Sequence, residues 1–468
     1  MIASRREALS VCPPGHPNRS NSLMNLANAL WTRFQQEGKM EDLEDAILSY
    51  HETLTLCPPG HPNHSTSLMN LATALWTRFQ QSGGIEDLED AISSYRQGLT
   101  LCPPGHPNHS GSLMNLAIAL WTRFQQLGRM EDLEDAISSH CQVLTLCPPG
   151  HPNRSYSLIN LANALFTRFE QSGQIEDLES VISSYHEALT LCPPGHPTHL
   201  PSLTNLANAL LTRFQQVGRI EDLEDSISSH RQALTLCPSG HLNHSNLLMN
   251  LANALFTCFQ QSGRMEDLED AISSHHKVLT LCPPGHSNCF HSLINLANAL
   301  WTRFQQLGRM EDLENAISFY HEALTLCPLG HPTRCSSLTN LATALFTRFE
   351  QSGRTEDLEG AISSYCETLT LCAPGQPTHF FSLMNFAQCQ CSFDSCSAFG
   401  QDGGFGRCNL ISPPSTHSLF PWPPILFLFT YEPCCCSFDS VSAVRQDGRF
   451  GRCNLNPLAS THSSSSCR

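Results

Sequence analysis

The sequence predicts an all-α fold, a right-handed superhelical solenoid of stacked helical hairpins that gives way to an irregular C-terminal tail. Three observations predict it. The segment LCPPGHP returns with small changes through most of the chain, its cysteine falling at Cys12, Cys57, Cys102, Cys147, Cys192, Cys237, Cys282, Cys327 and Cys372, always 45 residues apart. No insertion or deletion disturbs that register between residues 12 and 372. Within each period two stretches carry apolar residues at helical spacing, and glycine or proline ends each of them.

The unit 22–58, SLMNLANALWTRFQQEGKMEDLEDAILSYHETLTLCP, shows the elements in order. Leu23, Leu26, Ala27, Leu30 and Phe34 make one apolar stripe, the core face of a first helix. Gly38 then stops the pattern, as a glycine past a helix C-terminus does. Glu41, Asp42, Glu44 and Asp45 place negative charge at the start of a second helix, where the helix dipole favours it. Leu43, Ala46, Ile47, Tyr50 and Leu54 make the second stripe, and Pro58, Pro59 and Gly60 end it. Each helix is expected to be about 25 Å long at ~1.5 Å per residue. Neither can bury its stripe alone, whereas stacked neighbours can. The array is expected over residues 1–388, as eight complete units with partial units at both ends. The opening MIASRREALSVCPPG matches the second half of a unit, such as SSHRQALTLCPSG at 228–240.

Leu23, Leu26, Ala27 and Leu30, followed by Ala46, Tyr50 and Pro58, resemble the tetratricopeptide-repeat signature. The unit is longer than that family's usual ~34 residues. The excess lies in RFQQEGKMEDL between the helices and in the PPGHPNRSNS linker. The NLA of the first helix is similar to the long-repeat branch typified by kinesin light chain. The PPGHP linkers resemble expanded repeat arrays of filamentous fungi, some of which carry a caspase-like peptidase domain that is not visible in this chain.

The formal charge of −16 and the pI of about 5.7 argue against a nucleic-acid backbone as partner, which calls for a basic stripe. The acidity comes largely from the recurring EDLED segments and reads as helix-terminal charge and solubility. The N-terminus has no apolar core of signal-peptide type, so the 23 cysteines are expected as reduced thiols in the cytoplasm. The Asn-x-Ser sequons at Asn18, Asn63, Asn108, Asn153 and Asn243 are then expected to cap helices through asparagine and serine.

After Asn385 the pattern stops, and residues 389–468 are rich in Cys, Ser, Phe and Pro. They hold a duplication, CSFDSCSAFGQDGGFGRCNL from Cys391 and CSFDSVSAVRQDGRFGRCNL from Cys436, again offset by 45 residues. QDGGFGRCNLIS, back-translated and read one nucleotide later, gives RMEDLEDAISS, and the segments from Cys391 and Phe420 give altered forms of ALFTRFQQSG and of the linker. A frame change near residues 386–390 is therefore expected to turn the remaining array into a disordered tail. Its run LFPWPPILFLF is too short and proline-rich to cross a bilayer, so no membrane partner is expected. The Cys434–Cys436 cluster is read as accidental.

Each linker sets a cysteine and a histidine four apart, as in Cys57 and His61, which supplies half of a tetrahedral zinc site. Gln376 replaces that histidine in one copy, and Cys57 ends a core stripe where a small buried residue fits. No metal and no cofactor is expected. Histidines, cysteines, serines and aspartates recur unit after unit, whereas an active site is one distinct constellation in one cleft, so the chain reads as non-catalytic. The candidate surface is the first helix opposite its stripe, where Asn25, Asn28, Thr32 and Gln36 share a face. Asn25 recurs as Asn70, Asn115, Asn160, Asn205, Asn250, Asn295 and Asn340, and Asn28 as Asn163, Asn208, Asn253 and Asn298. The resemblance implies that the first helices line a concave groove and that these asparagines hydrogen-bond the backbone of an extended partner. An amide suits that task because it both donates and accepts. A plain solvated face, or the same asparagines bonding within the scaffold, is the competing reading.

The expected function is a non-catalytic scaffold that binds extended or helical segments of a protein partner, with self-association through uncapped ends. A regulatory arm of a larger caspase-like peptidase and a gene fragment without selected function are the alternatives. Genomic sequence beyond the tail and detection of the transcript and protein separate them.

Overall fold

The computed structural model describes residues 2–400 apart from 107, 242, 282–286, 329, 332 and 374, and every regular element among them is an α-helix. The first helices of successive units, called A, are α2 (Arg19–Glu37), α4 (Pro62–Ser82), α6 (His109–Leu127), α8 (Pro152–Ser172), α10 (His199–Val217), α12 (His244–Ser262), α14 (Ser287–Leu307), α16 (Thr333–Ser352) and α18 (Pro377–Gly400). The second helices, called B, are α3 (Met40–Leu56), α5 (Ile85–Leu101), α7 (Met130–Leu146), α9 (Ile175–Leu191), α11 (Ile220–Leu236), α13 (Met265–Leu281), α15 (Met310–Leu326) and α17 (Thr355–Leu371). A short B-type helix, α1 (Ile2–Ser10), precedes them. The B helices have 17 residues and match the expected ~25 Å. The A helices of the complete units have 19–21 residues and run to ~30 Å, longer than expected.

Each A helix packs on the B helix that follows it, and each B helix on the A helix of the next unit. A helices also touch across units, as α2 touches α4 and α12 touches α14, and among the described residues the B helices make no comparable contact with one another. The array therefore curves with the A helices on its inner side.

The predicted stripes form the core. Leu43, Leu88, Leu133, Leu178, Leu268, Leu313 and Leu358 are wholly buried, each such burial contributing on the order of 2 kcal/mol. Ala27 and Ala46, with their equivalents Ala72 and Ala91, are also fully buried at the helix crossings, where a larger side chain would hold the backbones apart.

Gly38 ends α2 at φ +71°, a left-handed conformation costly for other residues, and its N–H donates to the Phe34 carbonyl at 2.7 Å. The helix N-termini correct one expectation. The sequon asparagines Asn18, Asn108 and Asn243 make no side-chain cap bond, and Asn63 and Asn153 lie inside their helices. The linker histidine takes that role. His61 Nδ1 accepts from the Asn63 backbone N–H at 3.1 Å, and His16, His106, His151 and His241 do the same two residues ahead. At α4 and α8, where His61 and His151 are the N-cap residues, proline at the first helical position has no N–H, and the imidazole takes the next one.

The helix from Pro377 does not stop at the expected boundary of 388 but continues to Gly400. Cys389 is fully buried where the other A helices carry Ala29 and its equivalents, and Phe386 and Phe393 pack against the same core. A small thiol fits a crossing that alanine otherwise fills. The expected tail and its frame-shift origin lie outside the described residues from 401 onward. No described helix is long and apolar enough to cross a membrane.

Candidate functional site

The face built by Asn25, Thr32, Gln35 and Gln36 is exposed on the inner helix α2, with Asn28 half-buried beside it. The later units repeat this stripe with few charges. Where other units carry glutamine, α8 and α16 carry Glu170 and Glu350, and desolvation on this inner surface pushes both carboxyls above their ordinary range. The threonine hydroxyls on the face donate back along their own helix, Thr32 to the Asn28 carbonyl at 2.8 Å and Thr302 to that of Asn298 at 2.8 Å. Each can therefore only accept from a partner.

The asparagines are brought together in pairs 42 residues apart. Asn28 Oδ1 accepts from the Tyr50 hydroxyl at 2.7 Å and from Asn70 Nδ2 at 3.2 Å. Asn298 Oδ1 accepts from Tyr320 at 2.5 Å and from Asn340 Nδ2 at 3.1 Å. Asn250 donates to Asn208 at 3.3 Å and Asn295 to Asn253 at 2.9 Å, while Tyr185 donates to Asn163. Asn115 and Asn205 bond the hydroxyls of Tyr95 and Tyr185. One rung thus ties helix B to helix A of its unit and then to helix A of the next. Burial raises the pKa of Tyr50, Tyr95, Tyr185 and Tyr320 well above the ordinary phenol range, so they remain neutral donors. Asn25 and Asn160 make no side-chain hydrogen bond among the described residues, and Asn160 follows a unit that has Ile118 in place of the asparagine.

Two variations stand out along this ladder. Thr73 and Thr343 replace asparagine and bond Tyr95 and Tyr365 at 2.8 and 2.9 Å. His140, His230 and His275 replace the tyrosine, are buried, and lack a partner at Nδ1, with Nε2 of His230 also unpartnered. Burial depresses their pKa to about 3, about 4 and about 3 respectively.

Sequence reasoning missed an ion pair that joins the two helices of a unit. Arg33, one turn before the end of α2, grips Asp42 in the first turn of α3, and the pair recurs from Arg78–Asp87 to Arg348–Asp357, for example Arg303 to Asp312 at 2.9 and 2.7 Å. The arginine holds the Asp42 carboxyl below its ordinary pKa. Both residues recur nine apart in the sequence, and that fixed spacing was the available signal. The acidic segment thus does more than face a helix dipole. Among the described residues no cluster of three or more metal-binding side chains occurs, and the linker cysteines described are buried free thiols.

Comparison with known proteins places these features. Residues 20–63 match the family model for a tetratricopeptide repeat. No curated protein matches the chain in sequence. Among solved structures the chain is similar to a tetratricopeptide repeat protein from Parabacteroides merdae, with 15% identity over 70% of this chain and 98% of that one and a TM-score of 0.37. It is also similar to the nearly identical TPR-like repeats of a putative kinesin light chain from Podosopora anserina, with 20% identity over 47% of this chain and 98% of that one and a TM-score of 0.33. A third is YrrB, a TPR protein with an unusual peptide-binding site, with 16% identity, 53% and 96% coverage and a TM-score of 0.34. The matched stretch is one copy of the unit that repeats every 45 residues, and the hairpins of these units stack as consecutive pairs, so the chain carries tetratricopeptide-type repeats.

Proposed function

We propose that the inner face of the A helices binds an extended or helical segment of a partner protein, and that the chain works as a non-catalytic scaffold in the cytoplasm. Tetratricopeptide proteins typically mediate protein–protein contacts and are generally non-catalytic, which supports this reading. The observation that carries the reading is the unused hydrogen-bonding capacity of the asparagine ladder. An amide offers two N–H groups and a carbonyl oxygen with two lone pairs. Asn70 and Asn295 each give one N–H to the preceding unit, which leaves a carbonyl and an N–H on each for a partner, whereas Asn250 is buried and Asn340 also bonds the Tyr320 hydroxyl. The scaffold bond fixes the amide before the partner arrives, so less rotamer entropy is lost on binding. Neutral polar side chains recognise backbone, so sequence preference would come from the pockets between them.

The test uses the full chain and a random-sequence peptide display library. Selected peptides should bind wild type and lose roughly tenfold or more in affinity when Asn25, Asn115, Asn160 and Asn205 are changed together to alanine, since each net hydrogen bond is worth ~0.5–1.5 kcal/mol. Unchanged affinity in that variant removes the ladder from the account. The Asn25→Ala and Asn160→Ala changes touch no scaffold bond, so a loss of binding through them is separable from a loss of folding.

A further inference from the structure

Within a unit, the first half of helix A packs on the last half of its own helix B. Leu113 packs there with Val143 and Cys147, Leu203 with Ala233 and Cys237, and Phe290 and Leu293 with Ala323 and Cys327. Each end of the described array shows one half of this junction open. In α18, Leu383 is 49% exposed where its equivalents Leu23 and Leu293 are 1% and 2% exposed, and Phe380 is 58% exposed where Phe290 is 6%. Ala387 is exposed too, whereas Ala27 and Ala72 are fully buried at the same helix crossing. The opposite face of α18 is filled, since Phe386 and Cys389 pack on the preceding hairpin. In α1 the complementary side is bare. Ala8 is exposed, whereas Thr53, Val143, Ala188 and Ala233, which hold its position in other B helices, are wholly buried. The other side of α1 already packs on α2, as each B helix packs on the next A helix.

We propose that the open face of α18 binds α1 of a second copy of this chain, remaking the A–B junction between molecules and continuing the repeat register head to tail. Phe380 and Leu383 then pack on Ala8 and Cys12 of the second copy, as Phe290 and Leu293 pack on Ala323 and Cys327. The 9 residues of α1 suffice, because they correspond to the half of a B helix that covers this part of helix A. The polar rung has its counterparts. Arg5 stands at the tyrosine position of helix B and gives one N–H to the Asn25 carbonyl of its own copy, which leaves further guanidinium donors. Gln388 stands exposed at the Asn28 position and offers its amide oxygen to them. Met384 holds the place of Met24, which accepts from Ser67 of the next A helix at 3.6 Å, and α2 of the second copy presents Ser22 there. Between Pro377 and Phe393, α18 carries no Asp, Glu, Lys or Arg, so like charge on this helix does not oppose the contact. Pairing of two α18 faces would instead leave Ala8 bare and put two A helices where every unit pairs A with B. The contact is heterologous, so its repetition adds copies in a row.

Analytical ultracentrifugation of the full chain tests this with two variants at exposed positions. Leu383→Arg spoils the α18 face and Ala8→Arg spoils the α1 face. Wild type should show an average mass that rises with concentration past the dimer. Each variant alone should associate roughly thirtyfold or more weakly. An equimolar mixture of the two should form a one-to-one dimer and stop there, because it joins one intact α18 to one intact α1. Far-UV circular dichroism equal to that of wild type shows that the variants fold, and Leu383→Ser replaces Leu383→Arg in the same scheme if the arginine unfolds α18. A wild type that stays monomeric overturns the proposal, whatever else in the chain covers α18. So does self-association of Ala8→Arg as strong as that of wild type, which would pair α18 with α18. A mixture no heavier than its two components overturns it as well.

Discussion

At the residue scale, the rungs of the ladder differ in a way that makes single substitutions informative. Tyr320 is fully buried and donates to Asn298, which also receives Asn340. Asn298→Ala leaves that phenol and that amide without their acceptor, and we expect a loss of about 1–3 kcal/mol in urea unfolding. Asn25→Ala, on the open face, should change stability by less than ~0.5 kcal/mol. The histidine rungs carry a pH dependence. His140, His230 and His275 are held neutral in the fold, with pKa values of about 3, about 4 and about 3 against 6.5 for a free ring. Below pH 6.5 the unfolded chain takes up protons that the folded chain refuses, so stability is full above that pH and declines as the pH falls towards 4. Thermal midpoints at pH 7 and pH 5 should therefore differ more for wild type than for the double variant His230→Tyr, His275→Tyr. In that variant the new hydroxyls meet Asn208 and Asn253, as tyrosine does in neighbouring units. Equal shifts in both proteins would contradict this. That Asn25 and Asn28 share one face of the helix was legible from helical spacing. Their bonds to tyrosine and to each other were not, because those run between helices 22 and 42 residues apart, a separation that no single-helix periodicity reports.

At the scale of the element, both helices of a unit were legible from their apolar stripes, and Gly38 marked the end of the first. The capping histidine was not, because histidine is outside the set of short polar side chains that usually cap. The Arg–Asp pair joins the end of helix A to the start of helix B, and its acidic half was read as helix-terminal charge and solubility. One unit tests its contribution naturally. Cys258 stands where the others have arginine, and Asp267 is served instead by Arg264 at 3.1 Å in poor hydrogen-bonding geometry. Cys258→Arg should restore the two-pronged pair seen at Arg303–Asp312 and raise stability by about 1 kcal/mol, a figure reduced for partial exposure. Equilibrium unfolding in urea reads the change, and an unaltered or lowered midpoint would show that the pair is neutral. Conversely, Arg303→Ala leaves a buried carboxylate unpaired and should cost about 2 kcal/mol.

At the scale of the whole molecule, an exact period made the solenoid readable, since each unit touches only its neighbours and local pattern suffices to predict the fold. The continuation of α18 past residue 388 was not readable, because the stripe that marked earlier A helices is lost there while Cys389 and Phe393 still pack. Contacts among A helices, with none comparable among B helices in the described residues, fix the inner side of the curve, and the proposed groove follows from that side alone. The most direct measurement is peptide-resolved hydrogen exchange of the full chain, free and saturated with a peptide selected from the display library. Bound peptide is expected to slow exchange in consecutive A helices, such as α6, α8 and α10, and to leave α7 and α9 unchanged. Protection confined to B helices or linkers would contradict the account.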